Sequence, residues 1–351
     1  MSLTENDSLK REKLHGVLDR ILDHGIFING KELISFEEAI KIKINCQNCI
    51  GVSSGTGALY LALKSIGIKE GDEVIVPCLS WYSTAFAVTE LGAKVLFADV
   101  DENLLLDIHS AKKLITEKTK AIIPVHFMGA LCDINELKTL GLTIIEDASQ
   151  AFGSKTNHQW AGTLGDIGCF SLNPMKSFGA LGDAGMIITA DNKIAQTMRD
   201  FRYCGMDQQK KNTGASLNFR MDALQAGFLK EELGFFEKQS NRRKNIHKKY
   251  KEELQSRCQY IDVNEEVCPY GFTLLVENRK EFQAHMKKSG IETKVQHDPL
   301  MSQLDIYKNI NSHCPTGSKL AKKIINLPLY PSLKDHDVDF IIEKVLEFHE
   351  K

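Results

Sequence analysis

Lys176 sits in the stretch Gly165–Gly185, GDIGCFSLNPMKSFGALGDAG, on a short loop after the apolar run Ile167–Ser171. Gly179, Gly182 and Gly185 follow it. Glycines let a backbone approach a ligand closely or take positive φ. A lysine amine fed by a strand and hemmed in by small residues can lose its proton through desolvation and attack a carbonyl carbon. The competing reading is an ordinary lysine in a glycine-rich turn.

Upstream, Thr143–Gln150 reads TIIEDASQ, a buried-type strand that delivers Glu146 and Asp147 at its carboxyl end. Open α/β sheets bind their ligands just outside such ends. A carboxylate there suits a cationic ring nitrogen, as in pyridoxal phosphate (PLP), whose ring draws electrons from a bonded substrate only while protonated. Asp147 as an N-cap for the following segment is the alternative. Gln150, three residues on, can face the same place or solvent.

A third piece, Val52-Ser53-Ser54-Gly55-Thr56-Gly57, joins the strand Cys49–Ser53 to the helical run Ala58–Ile66. A strand, a glycine turn and a helix start direct backbone N–H groups and the helix dipole at an anion. It is neither a Walker loop nor a GxGxxG fingerprint. Ser54 or Thr56 as a plain N-cap remains open.

These pieces must be held by an alternating α/β framework. Strand candidates recur at Cys49–Ser53, Glu73–Val76, Val95–Asp99, Ala121–Val125, Thr143–Ile145, Ile167–Ser171 and Met186–Thr189, with helical segments between most of them. That pattern predicts a predominantly parallel sheet covered on both faces. Leu14, Val17, Leu18, Ile21 and Leu22 mark one face of a first helix over Leu9–Leu22. Ser35 with Glu38 reads as a capping box for a second helix. Between Met221 and about Arg257 there is no proline, and the only glycines are Gly227 and Gly234, so a long, bent helix is expected. Beyond it come a strand at Phe272–Val276, helices at Arg279–Ser289 and Ser318–Ile325, and a terminal helix near Val338–His349.

The chain resembles the DegT/DnrJ/StrS family of sugar aminotransferases, which are fold type I PLP enzymes. The resemblance rests on SSGTGALYLAL (53–63), GDEVIVP (71–77), the Gly-Ala-x-Val and Asp-Val-Asp run at 92–101, and KTKAIIPVHFMG (118–129). IIEDASQAFG (144–153), GTLGDIGCFSLNPMKSFGALGDAGMIIT (162–189) and NFRMDALQA (218–226) continue it. The implied fold is a large domain, 1–235, with a mostly parallel seven-stranded sheet between helices, and a smaller α+β domain, 236–351. The resemblance implies that Lys176 is the Schiff-base lysine, Asp147 the partner of the ring nitrogen and Gln150 the donor to the phenolic oxygen. Gly55, Thr56 and Ser171 would hold the phosphate, and Trp81 would stack on the ring. Asn218 would reach the phosphate of the neighbouring subunit of a homodimer with shared sites. Without the resemblance, the alternative for Trp81 is a core indole and for Asn218 a helix cap.

The implied reaction moves an amino group from L-glutamate to a keto-sugar nucleotide through pyridoxamine phosphate, in amino-sugar biosynthesis of surface glycans. A PLP-fold dehydratase would carry histidine where Lys176 stands, and a non-catalytic regulator would not need every cofactor position intact. Family members that act on nucleotide sugars commonly show Val-His-Tyr-x-x-Pro-Leu-His after Gly-Ile-x-Thr. Here Gly290-Ile-Glu-Thr293 precedes Lys-Val-Gln-His-Asp-Pro-Leu-Met, with Gln296-His297 at the His-Tyr pair and Met301 at the final His. The acceptor therefore stays open between a keto-sugar nucleotide and a smaller phosphorylated ketone such as a triose phosphate, with His297 as a candidate substrate contact.

Composition excludes other classes. A net charge of −2 over 351 residues leaves no footprint for nucleic acid. No apolar run approaches the ~20 residues of a membrane span, and MSLTENDSLKREKLHG lacks the pattern of a signal peptide. Nine scattered cysteines predict free thiols in a reducing, cytoplasmic setting. No metal site is expected. Cys46-Gln47-Asn48-Cys49 lacks the second ligand pair that zinc would need, and Cys78, Cys169 and Cys204 read as small buried hydrophobes.

Overall fold

Short, mostly apolar runs bounded by turns become the strands of one sheet. The computed structural model describes residues 7–349. Helices α1 (Ser8–His24) and α2 (Lys31–Ile44) lead into β1 (Asn48–Val52), α3 (Gly55–Ser65), β2 (Glu73–Pro77), α4 (Ser83–Thr89) and β3 (Lys94–Ala98). Then come α5 (Ile108–Leu114), β4 (Thr119–Ile122), α6 (Ile134–Lys138) and β5 (Thr143–Asp147). A small hairpin, β6 (Lys155–Thr156) and β7 (Gln159–Trp160), precedes β8 (Ile167–Ser171), β9 (Gly185–Thr189) and α7 (Asn192–Phe201). After α8 (Ala223–Leu233) and α9 (Phe236–Leu254) follow β10 (Gln259–Tyr260), β11 (Phe272–Leu275), α10 (Arg279–Lys288), α11 (Pro315–Leu320), β12 (Ile324–Leu327) and α12 (Asp335–His349).

All seven expected strands join one sheet in the order β1-β9-β8-β5-β4-β2-β3. Only β9 runs against its neighbours; the other pairings are parallel. The carboxyl ends of β1, β5 and β8 therefore share one edge. Alternate residues feed opposite faces: Ile50 and Ile187 enter one apolar cluster, Cys49, Met186 and Ile188 another. Both faces are covered, as a mainly parallel sheet requires. The C-terminal part is α+β, with β11 central in a three-stranded antiparallel sheet packed around Tyr250, Phe272, Phe282 and Ile325.

Five expectations are corrected. Helix α2 starts at Lys31 behind Gly30, so Ser35 and Glu38 lie inside it and form no capping box. On α1 only Val17 and Ile21 are buried, while Leu18 and Leu22 are exposed. The long helix is two helices: α8 ends at Leu233, where the Gly234 N–H bonds back to the Glu231 carbonyl, and α9 starts afresh at Phe236. The segment expected as helix over Ser318–Ile325 splits as well. Pro315 starts α11 early, a position where its missing N–H costs nothing, and Ile324 and Ile325 pair with β11 instead. Cys204 is only half-buried, in a positive-φ turn, whereas Cys78 and Cys169 are buried as expected.

Asp99, just past β3, ties the C-terminal part to the large sheet. Its Oδ1 accepts from the Val100 N–H at 2.9 Å and the Gly317 N–H at 2.8 Å, and its Oδ2 from the Thr316 N–H at 2.9 Å. Cys78 and Cys314 lie beside it, with the three ligand-type atoms within 4.8 Å of one another. A bond with Cys314 and burial push the Cys78 thiol far above its ordinary range. The cluster reads as a staple. Asp99→Ala leaves three N–H groups without their acceptor and should lower unfolding free energy by about 2–4 kcal/mol in a denaturant titration. A loss under about 0.5 kcal/mol would show that water replaces the carboxylate.

Candidate active site

A cavity of about 560 Å³ opens where the carboxyl ends of β1, β5 and β8 meet the start of α3. Of the residues singled out above, Gly55, Thr56, Trp81, Asp147, Gln150, Ser171, Lys176 and His297 all line it; Asn218 does not.

The anion cradle is built by close approach. Ser54 caps α3 by accepting the Gly57 N–H at 3.0 Å, so the plain N-cap reading holds for Ser54 and not for Thr56. A Cβ on Gly55 would lie 2.7 Å from the Ser171 Cβ, so only glycine lets α3 begin against the end of β8. The Thr56 hydroxyl shares a 2.8 Å bond with Ser83, and the Ser171 hydroxyl accepts weakly from the Asn173 N–H at 3.5 Å. Two hydroxyls thus stand beside the unpaired N–H groups of a helix start.

Strand alternation separates the two acids of β5. Glu146 points to the far face, fully buried, where it accepts the N–H groups of Gly162, Leu164 and Gly165 and pairs with His126 at 2.7 Å. Burial works against charge on His126, yet its bonds to Cys132 and Glu146 prevail and raise it to about 10. Asp147 faces the cavity at 5% exposure. Its Oδ2 accepts from the Thr84 hydroxyl at 2.8 Å, and its Oδ1 from the Ser149 N–H at 3.2 Å. The capping bond and the cavity-facing position coexist.

Lys176 is half-buried in the loop after β8, with its amine 5.4 Å from the centre of the Tyr270 ring. Burial lowers its pKa; the charge of Asp147 opposes that shift and the charge of Lys294 adds to it. The Gln150 carbonyl accepts the Met128 N–H at 2.9 Å, which leaves its NH₂ as the end able to donate elsewhere. Trp81 is no core indole: it is 61% exposed and stacks on Tyr82 at 5.0 Å. His297 has positive φ and sits edge-on to Phe127. Burial, only partly offset by a backbone bond to Ser80, brings it down to about 4, so it is neutral.

Asn218 is exposed, and its Oδ1 accepts from the N–H and Nε of Arg220 at 3.3 and 3.1 Å. The cap of α8 is Asp222, so Asn218 serves neither the cavity nor a helix start in its own chain. Thr84, Ser149, Tyr270 and Lys294 went unnoticed in the sequence. Thr84 had a signal in PCLSWYST, a polar segment just past a strand end, whereas Tyr270 had none.

A desolvated amine, a buried carboxylate and a helix start with two hydroxyls make a donor set that fits a phosphorylated aldehyde with a basic ring nitrogen. The close approach that Gly55 allows keeps Ser171 against that helix start. The model of the DegT/DnrJ/EryC1/StrS aminotransferase family matches residues 8–346. The chain is 34% identical to the UDP-N-acetyl-3-dehydro-α-D-glucosamine 3-aminotransferase of Acidithiobacillus ferrooxidans, over 94% of this chain and 92% of that one. It is 30% identical to a pleiotropic regulatory protein of Geobacillus stearothermophilus, over 99% and 98% of the two chains. The crystal structure of NtdA from Bacillus subtilis, with bound cofactor PMP, superposes with a TM-score of 0.93 at 27% identity, over 99% of this chain and 83% of that one.

Proposed function

Because the chain belongs to the DegT/DnrJ/EryC1/StrS aminotransferase family, we propose that it moves an amino group from L-glutamate to a keto-sugar nucleotide, using PLP, in the making of an amino sugar. The observation that carries this reading is the meeting of Lys176, Asp147 and the α3 start in one cavity. The cofactor supplies an aldehyde that exchanges amino groups and a ring that takes up the electron pair of the departing α-proton.

Lys176 would hold the cofactor's aldehyde carbon between turnovers, and its freed amine would take the proton from the donor's α-carbon. Burial lowers its pKa, which favours the neutral, proton-accepting form. Asp147 keeps the ring nitrogen protonated. Gly55, Thr56 and Ser171 would hold the phosphate, Gln150 would donate to the phenolic oxygen, and Trp81 would lie against the ring. Asn218, exposed and outside its own cavity, serves the phosphate of a partner subunit in a homodimer. The break at Gly234–Phe235 between α8 and α9 supports a boundary between a cofactor domain, 1–235, and a smaller domain, 236–351. Nine free cysteines suit the cytoplasm, and no described helix is long and apolar enough to cross a membrane.

The Acidithiobacillus relative, named for a nucleotide sugar, favours that acceptor class over a triose phosphate. A purely regulatory role, suggested by the name of the Geobacillus relative, would leave the desolvated amine and buried carboxylate without a use. The test is spectroscopic. The yellow, cofactor-loaded protein should bleach with L-glutamate and regain its colour with a UDP-linked 3-keto sugar but not with a triose phosphate. Recovery with the triose phosphate alone would overturn the acceptor, and failure to bleach would overturn the reaction.

A further inference from the structure

Two lysines line the cavity, Lys176 and Lys294. Lys176 is committed to the carbonyl chemistry, yet both proposed substrates are anionic: the donor through its carboxylates, the acceptor through its diphosphate. Of the other acids on the wall, Asp298 pairs with Arg279 and Asp183 accepts from the Asn173 side chain.

Lys294 is built for the remaining task. Its N–H donates to the Asn326 carbonyl at 3.1 Å, and its carbonyl accepts from the Asn326 N–H at 2.9 Å. The Asn326 side chain also donates to that carbonyl at 3.2 Å and accepts from the Thr273 hydroxyl at 2.6 Å. Its backbone is thus fixed to the buried strand β12, while its exposed ammonium makes no hydrogen bond or ion pair among the described residues. The charge of Lys294 is felt by both Lys176 and His297.

The surrounding segment is equally unsatisfied. Thr293 Oγ1, Gln296 Oε1 and His297 Nε2 are all buried with no hydrogen-bond partner among the described residues. Lys294 and Gln296 also border an adjoining recess of about 230 Å³, on whose wall Thr293 lies. Buried polar groups without partners are costly unless a ligand supplies one. A cation without a partner among the described residues, anchored on the shared wall of two cavities in a segment with three unpartnered polar atoms, is the arrangement of a substrate-reading wall.

We propose that Lys294 binds an anionic group of the substrate, either a carboxylate of the amino-acid donor or a phosphate of the acceptor; this rests on the aminotransferase reading. The test compares cofactor-loaded wild type, Lys294→Met and Lys294→Arg with two probes. L-Glutamate is read by the concentration dependence of single-turnover bleaching, and UDP-N-acetylglucosamine by calorimetric binding.

Lys294→Met should weaken at least one probe roughly tenfold to a hundredfold, the range for a hydrogen bond to a charged group, and Lys294→Arg should recover most of it. Loss for glutamate alone identifies the carboxylate; loss for UDP-N-acetylglucosamine alone identifies the phosphate. Affinities within about twofold of wild type for both probes would overturn the proposal. So would a changed pH dependence of cofactor colour with both affinities intact, because Lys294 would then act only on Lys176. A wild type that responds to neither probe would overturn the aminotransferase reading itself, and the proposal with it.

Discussion

Lys176→Ala should end transamination while leaving the fold intact, with the single-turnover rate for glutamate falling by more than roughly 10⁴-fold. A positioned general acid–base contributes about 10²–10⁴-fold by itself, and this substitution also removes the nucleophile that holds the cofactor's aldehyde. The structural cost is small. Within the chain, the ammonium touches the Tyr270 ring and feels Asp147 and Lys294, and burial already disfavours its charge. Deleting a desolvated cation should leave thermal stability unchanged or slightly raised. Three measurements decide it: the bleaching rate, the yellow absorbance of the lysine-bonded cofactor, and a melting curve. Turnover within about tenfold of wild type, a difference of about 1.4 kcal/mol, would show that another group moves the proton.

Much of the framework was legible because its signals are local. Each strand of the large sheet is a short, mostly apolar run between turn residues, and the order of motifs along the chain places the carboxyl ends of the parallel strands together. The antiparallel strand β9 was legible as a strand, but its direction was not, since residue pattern reports burial and not polarity. Ser35 and Glu38 have the composition of a capping box, yet α2 had already begun at Lys31, because a tertiary partner can override a local start signal. Ile324 and Ile325 lie in a helix-like pattern, but their register with β11 is a long-range property.

The site divides in the same way. Gly55, Asp147 and Lys176 are set by strand ends and turns, and their places follow from neighbours in sequence. Sequence alone put Glu146 and Asp147 side by side; only the pleat assigns one to the cavity and the other to His126. Tyr270 and Lys294 reach the cavity from the C-terminal part, nearly a hundred residues or more from Lys176 in sequence. Their arrival depends on the packing of the two sheets, which no local pattern reports.

Asp147→Asn is the sharpest separation of charge from shape that this site allows. Asparagine keeps an oxygen to accept the Ser149 N–H, now bonded at 3.2 Å. The Thr84 hydroxyl, which donates to the carboxylate at 2.8 Å and also bonds Ser80, can rotate to accept from the new NH₂. The local fold should therefore survive, with a change in unfolding free energy within about 1 kcal/mol. Lys176 loses the charge that opposes its desolvation, so its pKa should fall further, and the pH below which it is fully protonated should move down. The ring nitrogen loses the carboxylate that keeps its proton in place. The rate should then drop by at least roughly a hundredfold, comparable to deleting one preorganised electrostatic partner at a reaction centre, with only a modest loss of cofactor affinity because the phosphate cradle is untouched. Single-turnover bleaching across pH, paired with a cofactor titration, measures both quantities. A drop below about tenfold, or about 1.4 kcal/mol, would leave Asp147 as the cap of the segment after β5 and move the task of holding the ring proton to another residue.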